Sequence, residues 1–246
     1  MIMKKIVSMT VVMLLTATLA SASYQKALEL FEKQEYKESL KMIADELETA
    51  NDVKPDSPNF NLRFLAAHNH WKLGNTKSAA DHFTRCIAIR KKSVDPYIDL
   101  AMLQIEMKKY GEAENTARKG LEIEKSAELF YIMGLSSLKR GNFWRAKEMF
   151  EKANSLNPEL YYSYNALGVA LMRLKKYGEA NTAFSAAHAI RPKSAEIMNN
   201  LGMSCEYLGK IKEAKEYYES ASRLDEKNQV ITANLERIKS RAKAKD

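Results

Sequence analysis

The segment SAELFYIMGLSSLKRGNFWRAKEMFEKANSLNPE, residues 126–159, predicts two helices joined by a tight turn. Its first half carries apolar or small residues at the spacing of one helix face, namely Phe130, Met133, Gly134 and Ser137. Gly141-Asn142 then predicts the turn. The second half returns to helical spacing through Phe143, Ala146, Phe150 and Ala153. Asn157-Pro158 ends this helix, because a residue before proline avoids the helical region.

The two predicted helices form an antiparallel hairpin with an apolar face. Gly134 and Ala146 are small and face the other helix, so the two helices can approach closely. One hairpin cannot cover its own apolar face, whereas neighbouring hairpins that stack on it can. The segment therefore predicts one unit of a solenoid.

The same turn recurs along the chain at a nearly constant interval. The residue that begins the second helix recurs after 34, 33, 34 and 34 residues, at Thr76, Tyr110, Phe143, Tyr177 and Ile211. Tyr36 has the same role in an earlier, divergent unit, and the polar segment 50–59 forms an insertion loop after it. The hexapeptide KKYGEA occurs at 108–113 and again at 175–180, because these segments are two periods apart. We count six units over residues 23–228.

This pattern resembles the tetratricopeptide repeat family. The segment YNALGVALMRLKKYGEANTAFSAAHAIRP matches the family pattern through Tyr164, Leu167, Gly168, Tyr177, Ala180, Phe184, Ala187 and Pro192. The resemblance implies an all-α fold, a right-handed αα-hairpin solenoid of about six tetratricopeptide repeats with a C-terminal capping helix. Residues 229–246 are expected to form the capping helix and a basic tail.

The N-terminal segment has a different composition. Lys4 and Lys5 precede an apolar run of 14 residues, and Ala20-Ser21-Ala22 is a cleavage pattern. We therefore predict a cleaved signal peptide, residues 1–22, and a periplasmic or secreted protein. The alternative is a membrane anchor, but a spanning helix needs about 20 apolar residues. No later segment is apolar over such a length, so we expect no membrane span.

The charge of the chain bears on its partners. The formal net charge is +8, and it is +6 without Lys4 and Lys5, which modestly favours acidic partners. The last eleven residues are basic through Arg237, Lys239, Arg241, Lys243 and Lys245. They predict either a solvated helix end or a tail that docks on an acidic site of a partner or membrane. Nucleic-acid binding is poorly supported, because the basic residues are spread along the array.

The two cysteines, Cys86 and Cys205, suggest one disulfide in an oxidising compartment. The repeat argument opposes this pairing, because four units separate them and a disulfide needs Cα atoms within about 7 Å. We predict two buried free thiols.

No residue pattern indicates catalysis or metal binding. HExxH, GxSxG, P-loop and CxxC motifs are absent from the sequence. The four histidines, His68, His70, His82 and His188, are expected on helix surfaces. We therefore predict a protein that is not an enzyme, with no cofactor and no metal.

The resemblance implies a partner-binding groove along the first helices of the hairpins. The positions expected to line it are Phe64, His68, Trp71, Ile98, Met102, Tyr131, Leu135, Tyr162, Asn165, Val169, Met172, Asn199, Asn200 and Met203. Aromatic residues and Met are typical of interfaces, and Asn can hydrogen-bond a peptide backbone. Such a groove suits an extended or a helical protein segment. The alternative is that some of these side chains pack between adjacent first helices.

The family analogy predicts a non-enzymatic periplasmic adaptor or scaffold. It would bind a protein segment in the groove and support assembly of an envelope complex, in pilus, secretion, flagellar or cell-wall machinery. The alternative in the same class is a periplasmic chaperone for exported client proteins.

Overall fold

The computed structural model describes residues 22–49 and 59–243, and these residues form helices with no strand among them. The predicted signal peptide lies outside the described residues except for Ala22. The predicted insertion loop lies outside them except for Asn59, and so do residues 244–246 at the end of the tail. The chain divides into two compact units, unit 1 at Met1–Lys125 and unit 2 at Ser126–Asp246.

Unit 1 contains three helical hairpins among its described residues. The helices are α1 (Ala22–Glu32), α2 (Tyr36–Thr49), α3 (Asn59–Lys72), α4 (Thr76–Ile89), α5 (Asp95–Glu106) and α6 (Tyr110–Leu121). Within this unit, each helix from α1 to α5 packs on the next one along the chain. Phe60, Phe64 and Phe83 are among the largest fully buried side chains of this unit.

Unit 2 contains three further hairpins and a final helix in the part that the structure describes. The helices are α7 (Ala127–Lys139), α8 (Phe143–Leu156), α9 (Tyr161–Arg173), α10 (Tyr177–Ile190), α11 (Ala195–Tyr207), α12 (Ile211–Leu224) and α13 (Gln229–Lys243). Helix α13 packs on α12 and buries Ile231 and Ile238.

The structure confirms the predicted fold class. Segment 126–159 forms α7 and α8, with the turn at Gly141-Asn142 and the helix end before Pro158. Adjacent helices pack in pairs, as expected for a solenoid of hairpins. Within the described residues, no helix combines the length and the hydropathy that crossing a membrane requires.

A glycine lies at the closest helix crossing in each hairpin of unit 2. A Cβ atom added at Gly134 would lie 2.5 Å from the Phe150 ring. The corresponding distances are 2.4 Å from Gly168 to Phe184 and 2.7 Å from Gly202 to Tyr218. Real side chains do not tolerate such distances, so the bare glycine backbone makes room for the buried ring of the second helix.

The turn inside each hairpin has one residue in the left-handed region. This residue is Gly74, Gly141 or Gly209 in three hairpins, with φ between 76° and 80°. It is Gln34, Lys108 or Lys175 in the other three, with φ between 59° and 65°. The first lysine of KKYGEA therefore occupies a position where glycine has the lower conformational cost.

The rest of KKYGEA serves the start of the second helix. Lys109 contacts Glu112 at 3.0 Å and Lys176 contacts Glu179 at 2.7 Å, so the two copies share one local ion pair. Ala113 and Ala180 are fully buried, as expected at a close helix crossing. The hexapeptide recurs because the turn and the crossing recur.

We predict that Lys108→Gly stabilises the protein. A left-handed lysine is strained, so the change should raise the free energy of unfolding by roughly 0.5–1 kcal/mol despite the entropy cost of glycine. The matched control is Lys41→Gly, an exposed position in the interior of helix α2, which should lower it by about 1 kcal/mol. Urea unfolding followed by circular dichroism measures both. A loss of stability in Lys108→Gly would contradict the strain argument.

The two cysteines are free and buried, which confirms that prediction. The Asn181 side-chain amide donates to Cys205 Sγ at 3.4 Å. Burial, with the charge of Glu213 as a second cause, raises the pKa of the Cys205 thiol. Both groups therefore act as small apolar side chains inside their own units.

Candidate functional site: the predicted groove

In unit 1, most of the predicted groove residues are buried. Phe64, His68, Ile98 and Met102 are buried, whereas Trp71 is partly exposed. Phe64 and His68 contact at 4.6 Å between ring centroids, in an edge-to-face arrangement. The Trp71 indole N–H donates to Glu106 Oε2 at 2.5 Å. Partner binding by this set stays a prediction.

His68 is buried, so its expected place on a helix surface was wrong. Its Nε2 lies 3.1 Å from Asp99 Oδ2, and both side chains are at most 1% exposed. Phe64, Trp71 and Phe83 surround the imidazole ring at centroid distances of 4.6–6.2 Å. The pair joins α3 to α5 within an aromatic core.

The other histidines are partly buried rather than fully exposed. The rings of His70 and His82 stack with centroids 5.4 Å apart. Burial, followed by the nearby charge of His70, lowers the pKa of His82 to about 4. Burial also lowers the pKa of His70. No group of three or more metal-ligating side chains comes together within the described ranges.

In unit 2, the aromatic groove positions contact each other across adjacent first helices. The Tyr131 and Tyr162 rings meet edge to face at 4.7 Å. Tyr131 is buried, whereas Tyr162 and Leu135 are partly exposed. Burial raises the pKa of both phenols, so they remain neutral hydrogen-bonding groups.

Asparagines at the groove positions connect successive first helices of unit 2. Asn200 donates to Asn165 Oδ1 at 2.9 Å, and Asn165 donates to Glu196 Oε1 at the same distance. Asn234 on α13 donates to Asn199 Oδ1 at 2.8 Å. These contacts correspond to the alternative of packing between first helices. Whether the amides also bind a partner stays a prediction.

Besides Leu135 and Tyr162, four further groove positions of unit 2 are partly exposed and therefore accessible to a partner. Val169 and Met172 lie on α9 one turn apart, and Asn200 and Met203 lie on α11. Three apolar side chains and one amide are thus presented on neighbouring first helices. This composition is typical of an interface.

Glu206 anchors the final helix. Its carboxylate accepts hydrogen bonds from Arg237 at 2.7 Å, Arg241 at 2.6 Å and the Tyr218 hydroxyl at 3.0 Å. Burial tends to raise the pKa of this carboxyl, but the hydrogen bonds from Arg237, Arg241 and Tyr218 outweigh burial and lower it. Two cations of the predicted basic tail therefore already have an acidic partner in the chain.

The sequence reasoning missed Asp99, Asn234 and the anchoring role of Glu206. The repeat period itself held a signal for one of them, because Asn234 follows Asn200 by 34 residues, as Asn199 follows Asn165. Helix α13 therefore presents an asparagine at the position of a first helix. No comparable periodic signal marks Asp99 or Glu206.

Comparisons with known proteins bear on this architecture. Two family models, both described as Tetratricopeptide repeat, match the chain. One matches residues 159–227, and the other matches residues 94–126 and again residues 127–160. Together these matches cover more than half of the chain. A comparison with proteins of curated function finds no match.

Several solved structures share the fold at low sequence identity. PilW, a widely conserved type IV pilus biogenesis factor, covers 89% of this chain and 99% of its own, with a TM-score of 0.74 and 17% identity. YrrB, a tetratricopeptide repeat protein with an unusual peptide-binding site, covers 78% of this chain and 96% of its own, with a TM-score of 0.59 and 17% identity. MamA covers 68% of this chain and 92% of its own, with a TM-score of 0.58 and 19% identity. At these identities the likeness shows the fold alone.

Proposed function

Because the chain belongs to the tetratricopeptide repeat family, we propose that it is a non-enzymatic scaffold that binds a segment of another protein. The observation that carries this proposal is the open part of the groove in unit 2, formed by Val169, Met172, Asn200 and Met203. An extended segment would place its apolar side chains against Val169, Met172 and Met203 and its backbone against the Asn200 amide. A helical segment would use the apolar side chains alone.

The proposed setting is the periplasm, where the protein would support assembly of an envelope complex. The predicted signal peptide, residues 1–22, supports the setting. The fold shared with a pilus biogenesis factor supports an assembly role by analogy, and secretion, flagellar and cell-wall machinery are the other processes in the proposal. Lys239 is exposed and would meet an acidic docking site on the partner, because Glu206 holds Arg237 and Arg241.

The partner is found by crosslinking the protein in its native envelope and reading the captured peptides by mass spectrometry. We expect one dominant partner whose crosslinks include the first helices of unit 2. A broad spread of unrelated clients would favour the chaperone alternative instead. A partner crosslinked only to second helices would contradict the groove.

The groove predicts a defined mutational result. Val169→Glu with Met172→Glu should weaken binding of the captured partner at least about ten-fold, because charges enter an apolar contact. The control, Ser185→Glu, adds a charge to the exposed face of α10 and should leave binding unchanged. Isothermal titration calorimetry measures binding, and circular dichroism checks the helix content. Unchanged affinity with intact helices would reject the groove.

A further inference from the structure

A second exposed surface lies at the turns inside the hairpins of unit 2. We call it the turn strip, and it consists of Trp144, Lys176, Tyr177, Tyr207 and Leu208. Trp144 is 61% exposed, Tyr207 60% and Leu208 40%. Large apolar side chains exposed to this degree mark contact surfaces when they are contiguous. The predicted groove contains none of these residues.

The turn strip is contiguous across three successive turns. The Lys176 ammonium lies 5.1 Å from the centroid of the Trp144 ring, which joins the first turn to the second. The Tyr177 and Tyr207 rings stack with centroids 4.6 Å apart and planes at 14°, which joins the second turn to the third. Trp144 and Tyr207 make these contacts and still remain more than half exposed.

In unit 2, the turns inside the hairpins are basic, whereas the loops at the opposite ends of the helices have no excess of basic residues. Residues 139–142, 173–176 and 207–210 contain six lysines or arginines and no acidic residue. Loops 157–160, 191–194 and 225–228, at the opposite ends of the helices, contain three basic and three acidic residues. Lys139, Arg173 and Lys175 are exposed beside the turn strip. The exposed rings therefore lie in a field that attracts negative charge.

We propose that the turn strip docks an acidic protein segment that carries aromatic or aliphatic side chains. Its apolar side chains cover Trp144, Tyr207 and Leu208, and its carboxylates pair with Arg173 and Lys175. Helix layers are 8–10 Å apart, so three turns span about 20 Å, which roughly six extended residues cover. Alternate side chains of such a segment face the strip.

Local charge favours a protein segment over a polyanion. Glu179 and Glu213 pair with Lys176 and Lys210, and so place carboxylates beside the strip at 2.7 Å and 3.3 Å from those cations. A nucleic-acid backbone has a phosphate at every step and would meet these carboxylates. An anionic membrane surface would meet the same Glu179 and Glu213 carboxylates. A peptide can place its carboxylates at the turns alone.

The experiment selects peptides from a displayed library of random 12-residue sequences on the full chain. The same library is counter-selected on the double variant Trp144→Ala/Tyr207→Ala. The matched control is Leu224→Ala/Val230→Ala, which removes exposed apolar side chains, 47% and 64% exposed, at the opposite helix ends. Fluorescence anisotropy then measures the affinity of the selected peptides, and circular dichroism checks each variant.

We expect peptides rich in Asp or Glu with Phe, Tyr, Trp or Leu, which bind the double variant roughly ten-fold more weakly and the control unchanged. Arg173→Glu/Lys175→Glu should weaken them similarly, whereas Lys193→Glu/Lys227→Glu on the opposite edge should not. Selected peptides without acidic residues, or equal binding to the double variant, would overturn the proposal. The proposal would also be overturned if no peptide binds the strip but anionic vesicles or a single-stranded oligonucleotide bind the native protein and do not bind the double variant. If the turn-strip proposal fails, the test of the groove by its own variants still stands, since the two surfaces share no residue.

Discussion

Phe184→Ala should lower the free energy of unfolding by about 3–5 kcal/mol, the largest loss that we expect from a single substitution. The Phe184 ring is 1% exposed and fills the crossing between α9 and α10. Its removal deletes buried apolar surface and leaves a cavity, because neighbouring helices collapse only partly. Urea unfolding followed by circular dichroism at 222 nm measures the loss.

The crossing makes a sharper prediction through its glycine. Gly168→Ala in the native background adds a Cβ atom 2.4 Å from the Phe184 ring, which should cost about 1–3 kcal/mol. In the Phe184→Ala background the ring is absent, and alanine should instead stabilise the helix by up to about 1 kcal/mol. The sign of one substitution should therefore reverse between the two backgrounds.

Gly178 provides the matched control for this cycle. It belongs to the second KKYGEA copy, lies in α10 and has no atom within 4 Å of an added Cβ. Gly178→Ala should be neutral or stabilising by up to about 1 kcal/mol in both backgrounds. If Gly168→Ala were as harmless as Gly178→Ala in the native background, the close crossing would not constrain the fold.

Glu206→Gln should release the final helix and lower stability by about 1–3 kcal/mol. The Glu206 carboxylate is 9% exposed, and the amide that replaces it cannot hold both guanidinium groups as charged hydrogen bonds. Arg237 and Arg241 are 50% and 53% exposed, and water therefore replaces part of what they lose. The loss should lie in the lower half of this range and be concentrated in α13.

Hydrogen exchange read by mass spectrometry localises this effect. Amides of residues 229–243 should exchange faster in Glu206→Gln, while those of α7 and α8 keep their protection. The control, Glu236→Gln, removes an exposed carboxylate on α13 itself and should change stability by less than about 0.5 kcal/mol. Equal exchange of α13 in both variants would contradict the anchor.

The same anchor should weaken in acid. The pKa of Glu206 is lower in the folded protein than in the unfolded chain, because Arg237, Arg241 and Tyr218 bind the ionised form. Its contribution is complete above the unfolded pKa of about 4.3, and it is lost as the pH falls through the lower folded pKa. Protection of α13 should therefore fall below about pH 4 in the native protein and show a smaller pH dependence in Glu206→Gln.

Much of the fold could be predicted because the same turn and packing signals occur in several repeats of the sequence. The 34-residue period located the turns, and the apolar spacing of Ala146, Phe150 and Ala153 identified the buried face of α8. Free, buried Cys86 and Cys205 followed from their positions in the array. Local spacing is sufficient for these features, since each hairpin contacts only its neighbours.

The candidate site was less predictable, because exposure depends on what packs against each face. His68 and Tyr131 had the expected positions on their helices, yet the structure buries both. The asparagines expected to face a partner bond one another across helices. The position in a repeat predicts the place of a residue on its helix, whereas the packing of neighbouring helices determines whether its side chain is exposed to solvent.

By itself, the sequence determined the all-helical class, the period, the turn positions and the tetratricopeptide resemblance. These features depend on residues close together in the chain, and repetition makes them unambiguous. Only the tertiary structure decided that Glu206 binds Arg237 and Arg241, that His68 meets Asp99, and that Tyr177 stacks on Tyr207. Each of these contacts joins residues about 30 positions apart through the packing of separate helices, and no local spacing specifies such a pair.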